Sequence, residues 1–522
     1  MADRIKYPIG IQTFSKLISN GYLYIDKTEL IHDLVSNNEY VFLSRPRRFG
    51  KSLLMSTIES YFKGEKDLFK GLLISSLEHE WKSYPVFRFD LSTDHIDSPK
   101  RLIDLIGNCL SGIEREYGLS SSAPSIALRF SELIEQAYHR LDRKVVILID
   151  EYDKPMLDCL HDDSVNESIK AELRGFYSVI KGNDRYIRFA MLTGITKFGK
   201  VSVFSGLNNL RDISMLPKFN AICGIAESEF RRDFKDSVAM FAKEHGISEY
   251  ETWDKFKTMY DGYHFAARGE FIYNPFSVLN AFNDGELRSY WYASGSPSYL
   301  IKLIETYGYS LDAIEGVRKN EIELSDISDI SHDFVPLLYQ SGYLTIKNYD
   351  PETEEYVLDF PNREVNKSFW TSLANRFFRG VGGRSVFNVR DCVQDINDGR
   401  IDVFMQRMKS LFADTTSEPE KNKEIHFQNM MAIVAKMMGL SVRTEVHSSA
   451  GRCDMQILTD KFVYIFEFKI DSTPEAALSQ IHEKNYYGPF TADIRTIILI
   501  GANFSLKTRT LDTWVTEKLR SR

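Results

Sequence analysis

The chain has 522 residues, of which 43% are hydrophobic and 26% charged, and its formal net charge at pH 7 is -8. This length predicts about three domains, and the composition excludes a disordered, collagenous or disulfide-scaffold protein. The N-terminus lacks the pattern of a signal peptide and the longest apolar runs have only the length of strands, so we expect a cytoplasmic protein without membrane contact.

Four apolar segments in the first 230 residues predict the strands of a parallel sheet, because they alternate with helical stretches. They are YVFLS at 40–44, PVFRFDL at 85–91, VVILID at 145–150 and YIRFAMLTG at 186–194. We therefore place an α/β domain at residues 1–230.

The first of these strands runs into RPRRFGKS and then into an amphipathic helix. A phosphate-binding loop needs a glycine that lets the backbone approach the phosphate, a lysine for the terminal phosphates and a hydroxyl for magnesium. The sequence therefore predicts a site for ATP and Mg²⁺. Its predicted nucleotide-binding residues are Arg48, Phe49, Gly50, Lys51, Ser52 and Leu53. The usual pattern has glycine at position 45, where this chain has Arg45, so the geometry of the loop stays open.

Two carboxylates, Asp150 and Glu151, follow the strand VVILI at its carboxyl end, where open α/β sheets bind ligands. We expect Asp150 to hold magnesium together with Ser52, and Glu151 to polarise the attacking water. The alternative is a surface carboxylate pair that closes a buried strand. Thr193 and Lys197, after the fourth strand, are candidates for sensing the terminal phosphate, and an ordinary cap or solvent-facing residue is the alternative there.

Beyond residue 230 the sequence turns aromatic and helical, which predicts an α-rich second domain at residues 231–375. Its end, FVPLLYQ followed by GYLTIKNY and EEYVLDF, predicts a helix and a β-hairpin, the order of a winged-helix-like element. The predicted hairpin carries Lys347 and four acidic residues, Asp350, Glu352, Glu354 and Glu355. Because this tip should repel phosphate, we expect the wing to pack on the ATPase or on a protein partner.

The third predicted domain, residues 376–522, has a helical connector and then the order helix, three strands, helix, strand. In FVYIFEFKI, alternation puts Glu467 and Lys469 on one face, and Asp454 lies on a strand that can pair with this one as a hairpin. Two carboxylates suit a hard divalent cation, Mg²⁺ or Mn²⁺, and a lysine can orient or deprotonate a water. These residues match in-line hydrolysis of a phosphodiester; solvated surface charges are the alternative.

Several further residues near this centre are weaker candidates. Glu445 and Glu424 are possible extra metal ligands, and we interpret His426 as a packing or surface residue. Three residues of the next helix, Gln480, Lys484 and Tyr487, are spaced to approach one face and to meet a phosphate backbone.

The chain closely resembles the bacterial AAA-ATPase-like family with an RPRRFGKS phosphate loop, in IGIQTFSKLISNGYLYIDKTELI, FLSRPRRFGKSLLMSTIESYF, LIDEYDKP and LTGITKFGKVSVFSGLNNLRDIS. It is similar to that family's helical and winged extension in MYDGYHF, YNPFSVL, QSGYLT and FPNREV. GRCD, YIFEFK and ALSQIHEKNYY resemble the PD-(D/E)XK nuclease-like domain commonly joined to this family. The resemblance implies that Arg45 is typical of the family and that Asp454, Glu467 and Lys469 form a nuclease triad.

These features together predict an ATP-binding protein, an ATPase, that positions or gates a metal-dependent nuclease acting on DNA. Such a combination would suit defence against foreign nucleic acid or mobile-element biology. The alternative is a non-catalytic, nucleotide-dependent switch or scaffold that binds protein or nucleic acid, and a third reading is an RNA-directed nuclease. DNA and RNA present the same phosphates, so the sequence does not separate them. Self-association or a protein partner is compatible with each reading.

Overall fold

The computed structural model describes residues 5–159, 162–197, 207, 209–294, 298–311, 314–325, 327, 332–377, 389–413, 423–439, 441–448, 451–508 and 510–519. The chain divides into two compact units, an N-terminal unit of residues 1–295 and 316–365 and a C-terminal unit of residues 296–315 and 366–522. The three-domain division with boundaries at 230 and 375 stays a prediction. Within the described ranges, no helix has both the length and the apolar character that a membrane crossing requires.

The helices are α1 Phe14–Ser19, α2 Thr28–Asn37, α3 Lys51–Phe62, α4 Pro99–Tyr117, α5 Ile126–Leu141, α6 Lys154–Asp158, α7 Asp163–Gly182, α8 Glu227–Asp233, α9 Lys235–His245, α10 Glu249–Tyr260, α11 Pro275–Asp284, α12 Tyr290–Ser294, α13 Ser298–Tyr307, α14 Glu321–Ser325, α15 Val335–Ser341, α16 Arg363–Phe377, α17 Val389–Asn397, α18 Ile401–Ala413, α19 Lys423–Met437 and α20 Pro474–Glu483. The strands are β1 Tyr40–Ser44, β2 Val86–Asp90, β3 Val145–Asp150, β4 Ile187–Gly194, β5 Arg211–Asp212, β6 Ile225–Ala226, β7 Ile272–Tyr273, β8 Val317–Asn320, β9 Thr345–Asp350, β10 Glu355–Asp359, β11 Ser441–Ser448, β12 Gly451–Leu458, β13 Phe462–Ile470, β14 Thr496–Ser505 and β15 Thr510–Leu519.

A five-stranded parallel sheet of order β2-β3-β4-β1-β5 forms the centre of the N-terminal unit. All six residues of β3 are buried, because an inner parallel strand is covered on both faces. The predicted α/β sheet is therefore confirmed. Its topology places the ends of β1, β3 and β4 side by side, where the candidate nucleotide residues lie.

The winged-helix-like element contains α15 and an antiparallel sheet of order β8-β10-β9. The helix and hairpin follow the predicted order, whereas β8 has no counterpart in the sequence analysis. At the acidic end of the hairpin, Arg318 from β8 forms ion pairs with Asp350 at 3.7 Å and Glu355 at 3.4 Å. The helix of this element contacts the segment that follows β4 in the same unit, because Gln340 Oε1 accepts a hydrogen bond from the Lys197 backbone at 2.6 Å.

The C-terminal unit contains a five-stranded sheet of order β11-β12-β13-β14-β15. The strands β12 and β13 form the predicted hairpin, in which Met455 pairs with Phe466, and β14 lies parallel to β13. The predicted order of helix, three strands, helix and strand is present. A further strand, β15, follows and pairs antiparallel with β14.

The helix α18 packs on this last strand. Lys409 Nζ donates a hydrogen bond to the carbonyl of Asp512 at 2.6 Å, and Thr510 Oγ1 donates to the carbonyl of Lys409 at 3.0 Å. The indole of Trp514 donates to Asp402 Oδ1 at 3.0 Å. The connector before the nuclease motif is therefore part of the packing of this unit.

Gly501 in β14 allows α20 to approach the sheet closely. A Cβ atom at this position would lie 2.2 Å from the carbonyl oxygen of Pro474 and 2.7 Å from the backbone nitrogen of Leu478. Both atoms belong to the backbone of α20, so they cannot rotate away. In the register of the sheet Gly501 pairs with Glu467, so the distance of α20 from β14 also sets the distance of Gln480 from the acidic centre.

We therefore expect Gly501→Ala to destabilise the C-terminal unit by about 1–3 kcal/mol, the usual cost of inserting a methyl group into a filled space. Calorimetric thermal unfolding of the full-length protein measures this effect. Gly112→Ala in α4 is the matched control, because no atom lies within 4 Å of the added Cβ and alanine favours helix. Equal unfolding midpoints for Gly501→Ala and wild-type protein would contradict the expectation.

Candidate functional site

The phosphate loop connects β1 to α3 and ends in a left-handed turn. Gly50 has φ +95° and directly precedes the helix. Arg48 has φ +69°, a backbone conformation that is uncommon for residues other than glycine. The first turn of α3 presents backbone N–H groups and the positive end of the helix dipole, which together favour an anion. This geometry suits phosphate at residues 48–53.

The Lys51 ammonium group lies in the middle of this arrangement and is almost fully buried. Its Nζ donates to the carbonyls of Arg45 at 3.1 Å and Pro46 at 3.3 Å, and lies 3.4 Å from Glu151 Oε1. The structure therefore brings the predicted phosphate-binding lysine and the predicted water-activating carboxylate into direct contact.

Arg45, which stands where the usual loop has glycine, supports the loop from behind. Its guanidinium donates to the carbonyls of Ser214 at 2.7 Å and Phe219 at 3.1 Å, and its Cζ lies 4.3 Å from the ring centre of Phe265. The side chain is only 1% exposed. Arg45 therefore stabilises the phosphate loop by linking it to residues 214 and 219.

Asp150, the last residue of β3, and the turn that follows it are held by β4. The buried Asp150 accepts a hydrogen bond from Thr193 Oγ1 at 2.6 Å, and the Tyr152 backbone donates to the carbonyl of Thr193 at 3.0 Å. Glu151 has φ +53°, so this turn holds its side chain in an unusual direction, toward Lys51. Asp150, Glu151, Lys51 and Thr193 thus meet at the carboxyl edge of the sheet, as the sequence predicts.

The remaining predicted nucleotide residues are placed less directly. Phe49 is buried, and its ring centre lies 4.7 Å from that of Tyr263, so only its backbone is free to meet a ligand. Ser52 and Leu53 are partly buried in the first turn of α3. The Lys197 ammonium forms an ion pair with Asp212 and a 3.1 Å hydrogen bond with Ser325 Oγ.

Asp153 is a buried carboxylate beside this centre that the sequence analysis did not assign. Its Oδ2 accepts hydrogen bonds from Thr196 N and Thr196 Oγ1, both at 2.6 Å, and from Ile195 N at 3.0 Å. Burial, with the nearby Glu151 charge, raises the pKa of Asp153. The third acidic residue in LIDEYDKP was the available signal. Through these hydrogen bonds Asp153 links residues 195–196, which follow β4, to the turn that contains Glu151.

The nuclease motif converges on one face of the C-terminal sheet. Glu467 Oε1 accepts a hydrogen bond from Lys469 Nζ at 3.2 Å, which is the pairing that strand alternation predicts. Asp454 on β12 accepts the backbone N–H of Phe468 at 2.7 Å, so it lies next to the strand segment that joins the other two residues. The hairpin therefore brings all three predicted residues together.

Glu467 has the chemistry of a cation ligand. It is 2% exposed, and among the described residues its Oε2 has no hydrogen-bond partner. Burial and then the neighbouring Asp454 raise the pKa of Glu467 to about 7. A buried, unsatisfied carboxylate oxygen beside a second carboxylate fits a hard divalent cation, which prefers oxygen ligands and would compensate both charges. These two residues would hold Mg²⁺ or Mn²⁺.

Lys469 is oriented by a residue of α20. Its Nζ donates to Gln480 Oε1 at 2.6 Å, and Gln480 Nε2 donates to the hydroxyl of buried Tyr486 at 3.3 Å. The spacing argument selected Lys484 and Tyr487 to share a face with Gln480. Instead α20 ends at Glu483, so Lys484 is its exposed C-cap and the helical spacing no longer applies beyond it. Tyr486 was missed because it lies after that end.

The other candidate ligands are placed only by their backbones. Glu445 lies on β11 between Thr444 and Val446, which pair with Met455 and Cys453, so its register position is opposite Asp454. The side chains of Glu445, Glu424 and His426 lie outside the described part of the structure. Within the described part, no three His, Cys, Asp or Glu residues form a group that could hold a metal ion.

Comparison with known proteins gives matches at both ends of the chain. A family model described as predicted AAA-ATPase matches residues 8–204, and one described as PD-(D/E)XK nuclease superfamily matches residues 422–514. A protein of Azotobacter chroococcum mcd 1, described as an uncharacterized protein in the vnfD 5' region, is 36% identical over 531 residues, which cover 99% of this chain and 100% of the relative.

A solved structure, that of the Aeropyrum pernix ORC2 protein in ADPNP and ADP complexes, has a TM-score of 0.26 and 10% sequence identity. The similarity covers 72% of this chain and 97% of that one. The two family matches confirm the predicted family and fold class. The chain belongs to the AAA-ATPase-like family and carries a PD-(D/E)XK nuclease superfamily domain at its C-terminus.

Proposed function

We propose that this protein binds and hydrolyses ATP with Mg²⁺ at the phosphate loop, and that its nucleotide state gates metal-dependent cleavage of DNA by the C-terminal domain. The observation that carries the proposal is the meeting of Asp454, Glu467 and Lys469 on one face of the sheet, with one Glu467 oxygen buried and unsatisfied among the described residues. Unsatisfied buried charge is costly for a fold, which favours a functional reason for it.

Five residues support the ATP half of the proposal. In this reading Lys51 exchanges its carbonyl and Glu151 contacts for phosphate oxygens, and Ser52 and Asp150 hold Mg²⁺. Glu151 is then free to polarise the attacking water, the role that its position beside Lys51 suggests. Thr193 orients Asp150 through its 2.6 Å hydrogen bond.

The chemistry of the nuclease half begins with Lys469. A divalent cation held by Asp454 and Glu467 supplies Lewis-acid stabilisation of the phosphodiester when it is bound. Lys469, held between Glu467 and Gln480, orients the attacking water and stabilises developing negative charge. Because the lysine has two fixed acceptors, its ammonium is already positioned before substrate arrives.

DNA is the substrate that we favour, and defence or mobile-element biology is the setting that this combination suits. The end of the winged hairpin keeps an excess of negative charge, although Asp350 and Glu355 form ion pairs with Arg318. Because this charge repels phosphate, we assign nucleic-acid binding to the C-terminal domain. The second candidate function is a non-catalytic nucleotide switch. It is favoured by the extensive packing of the phosphate loop, in which Arg45 and Phe49 are buried, since a loop fixed in this way is suited to sensing a nucleotide.

The gating proposal predicts that cleavage depends on the nucleotide. Manganese-dependent cleavage of plasmid, single-stranded DNA and RNA should be measured without nucleotide, with ADP and with a non-hydrolysable ATP analogue. We expect rates that differ about tenfold between nucleotide states, which requires only ~1.4 kcal/mol of differential affinity for two arrangements of the protein.

The Asp454→Ala variant is the control for contaminating nucleases in this assay. Equal rates in all nucleotide states would contradict gating and leave the nuclease intact. Equal rates for wild-type protein and Asp454→Ala would favour the switch instead.

A further inference from the structure

The phosphate loop is held by residues that lie far away in the sequence. Gly342 at the end of α15 lies against Pro46, so closely that a Cβ there would be 2.6 Å from Pro46 Cβ. The guanidinium of Arg48 lies 4.8 Å from the ring centre of Phe276 in α11. Gly342 and Phe276, which follow the loop by more than 200 residues, therefore contact it from the same compact unit.

Trp291 makes the most specific of these contacts. Its indole Nε1 donates a hydrogen bond to the backbone carbonyl of Arg47 at 3.0 Å. This carbonyl belongs to the peptide bond that leads into Arg48, the residue with φ +69°. A residue other than glycine stays in this conformation only where its surroundings impose it, and the hydrogen bond from Trp291 fixes one of the two peptide planes around it.

Trp291 is itself fixed by a buried carboxylate. Its backbone N–H donates to Glu364 Oε1 at 2.8 Å, while Glu364 Oε2 accepts from Ser277 Oγ at 2.7 Å. Its ring centre lies 5.3 Å from that of Tyr343, and the residue is 5% exposed. The indole therefore has little freedom to follow the loop if the loop moves.

We propose that Trp291 is a positioning residue of the nucleotide site, which rests on the proposed binding of ATP at Lys51. Its indole N–H holds the Arg47 carbonyl and thereby keeps the N–H groups of residues 48–51 in a conformation that receives phosphate. Successive backbone N–H groups in such a turn form a concave anion site, and its affinity depends on their shared direction. Trp291 acts through the loop and does not touch the nucleotide.

The test is Trp291→Phe in the full-length protein, which keeps an aromatic ring and removes the N–H donor. Calorimetric titration with ATP and magnesium should show affinity about tenfold weaker than wild type, the usual loss for one hydrogen bond to an anion site. The turnover number at saturating ATP should change little, because Glu151 and Asp150 stay in place. This split between KM and kcat distinguishes positioning from general destabilisation.

Trp253→Phe is the matched control. Trp253 is a partly buried tryptophan of the same unit that packs on Phe230 and Arg231, away from the loop. A second variant, Phe276→Leu, removes the ring under Arg48 at a partly exposed position of α11 and should also weaken ATP binding. It keeps the test valid if Trp291→Phe does not fold.

The outcomes separate the two proposals. If wild-type protein does not bind ATP, the proposed function fails before any variant is made. If wild-type protein binds ATP and a folded Trp291→Phe variant binds it with unchanged affinity, the role of Trp291 is refuted and the ATP site stands; unchanged affinity in Phe276→Leu decides in the same way where Trp291→Phe does not fold. A loss of kcat without a change in KM would also overturn the positioning role.

Discussion

Lys469→Ala should reduce manganese-dependent cleavage of DNA by at least about 10²-fold, while binding of the substrate changes much less. The lysine is held 3.2 Å from Glu467 and 2.6 Å from Gln480, so alanine removes a positive charge that is positioned at the reacting phosphate. Interactions made mainly in the transition state affect the rate and not the affinity. Plasmid cleavage under single-turnover conditions, together with filter binding, measures both quantities.

Lys461→Ala is the matched control for this prediction. Lys461 is exposed and lies in the turn of the same β12–β13 hairpin, at the end far from Glu467. Asp454→Ala should lose cleavage to a similar degree, and it should bind DNA as well as wild type, or more tightly without metal, since it removes a charge that repels phosphate. Undiminished cleavage by Lys469→Ala would refute the nuclease centre.

Lys51→Ala should weaken binding of ATP with magnesium by about 10- to 100-fold. A charge-assisted hydrogen bond to phosphate contributes about 1.5–3 kcal/mol. Lys51 is the buried first residue of α3. Calorimetry measures the affinity, and the exposed Lys66→Ala, in the turn that follows α3, is the matched control. Because Lys51 is buried, thermal unfolding without nucleotide must accompany the measurement. Equal ATP affinity in Lys51→Ala and wild-type protein would refute this site.

Glu151→Gln should behave in the opposite way. It keeps the size of the side chain but removes the charge that faces Lys51 at 3.4 Å, so we expect ATP affinity equal to or above that of wild type. Hydrolysis should fall by about 10²- to 10⁴-fold, the usual contribution of a general base. Steady-state release of phosphate measures it, and wild-type rates would assign Glu151 to a structural ion pair with Lys51.

The inner strands of both large sheets could be predicted because a strand that is buried on both faces is a continuous run of apolar residues. The predicted bounds of YVFLS, VVILID and FVYIFEFKI coincide with β1, β3 and β13. The two carboxylate centres could be predicted for a related reason. In the C-terminal domain, strand alternation and a short hairpin fix which side chains meet, and both are local properties of the sequence. In the N-terminal unit, the carboxyl ends of the parallel strands meet at one edge of the sheet, which brings Asp150 and Glu151 to the loop after β1.

Edge strands and long-range contacts could not be predicted in the same way. β15 has the partly exposed, polar sequence TLDTWVTEKL, which lacks an apolar block, and β8 is a four-residue edge strand. The residues that contact the phosphate loop could not be predicted for another reason. Trp291 and Arg47 are 244 residues apart, and nothing in either local sequence indicates that one will donate a hydrogen bond to the other.

The packing of α18 on β15 determines how the nuclease domain can be isolated. A fragment that begins at residue 422, where the nuclease family match starts, would lack α18 and would uncover Phe504, whose ring centre lies 5.6 Å from that of Phe412. It would also leave the edge strand β15 without the helix beside it, and exposed edges of this kind join to other chains. A fragment that keeps this packing therefore needs a start before Ile401, where α18 begins, and aggregation of shorter fragments would reflect the cut and not the native protein.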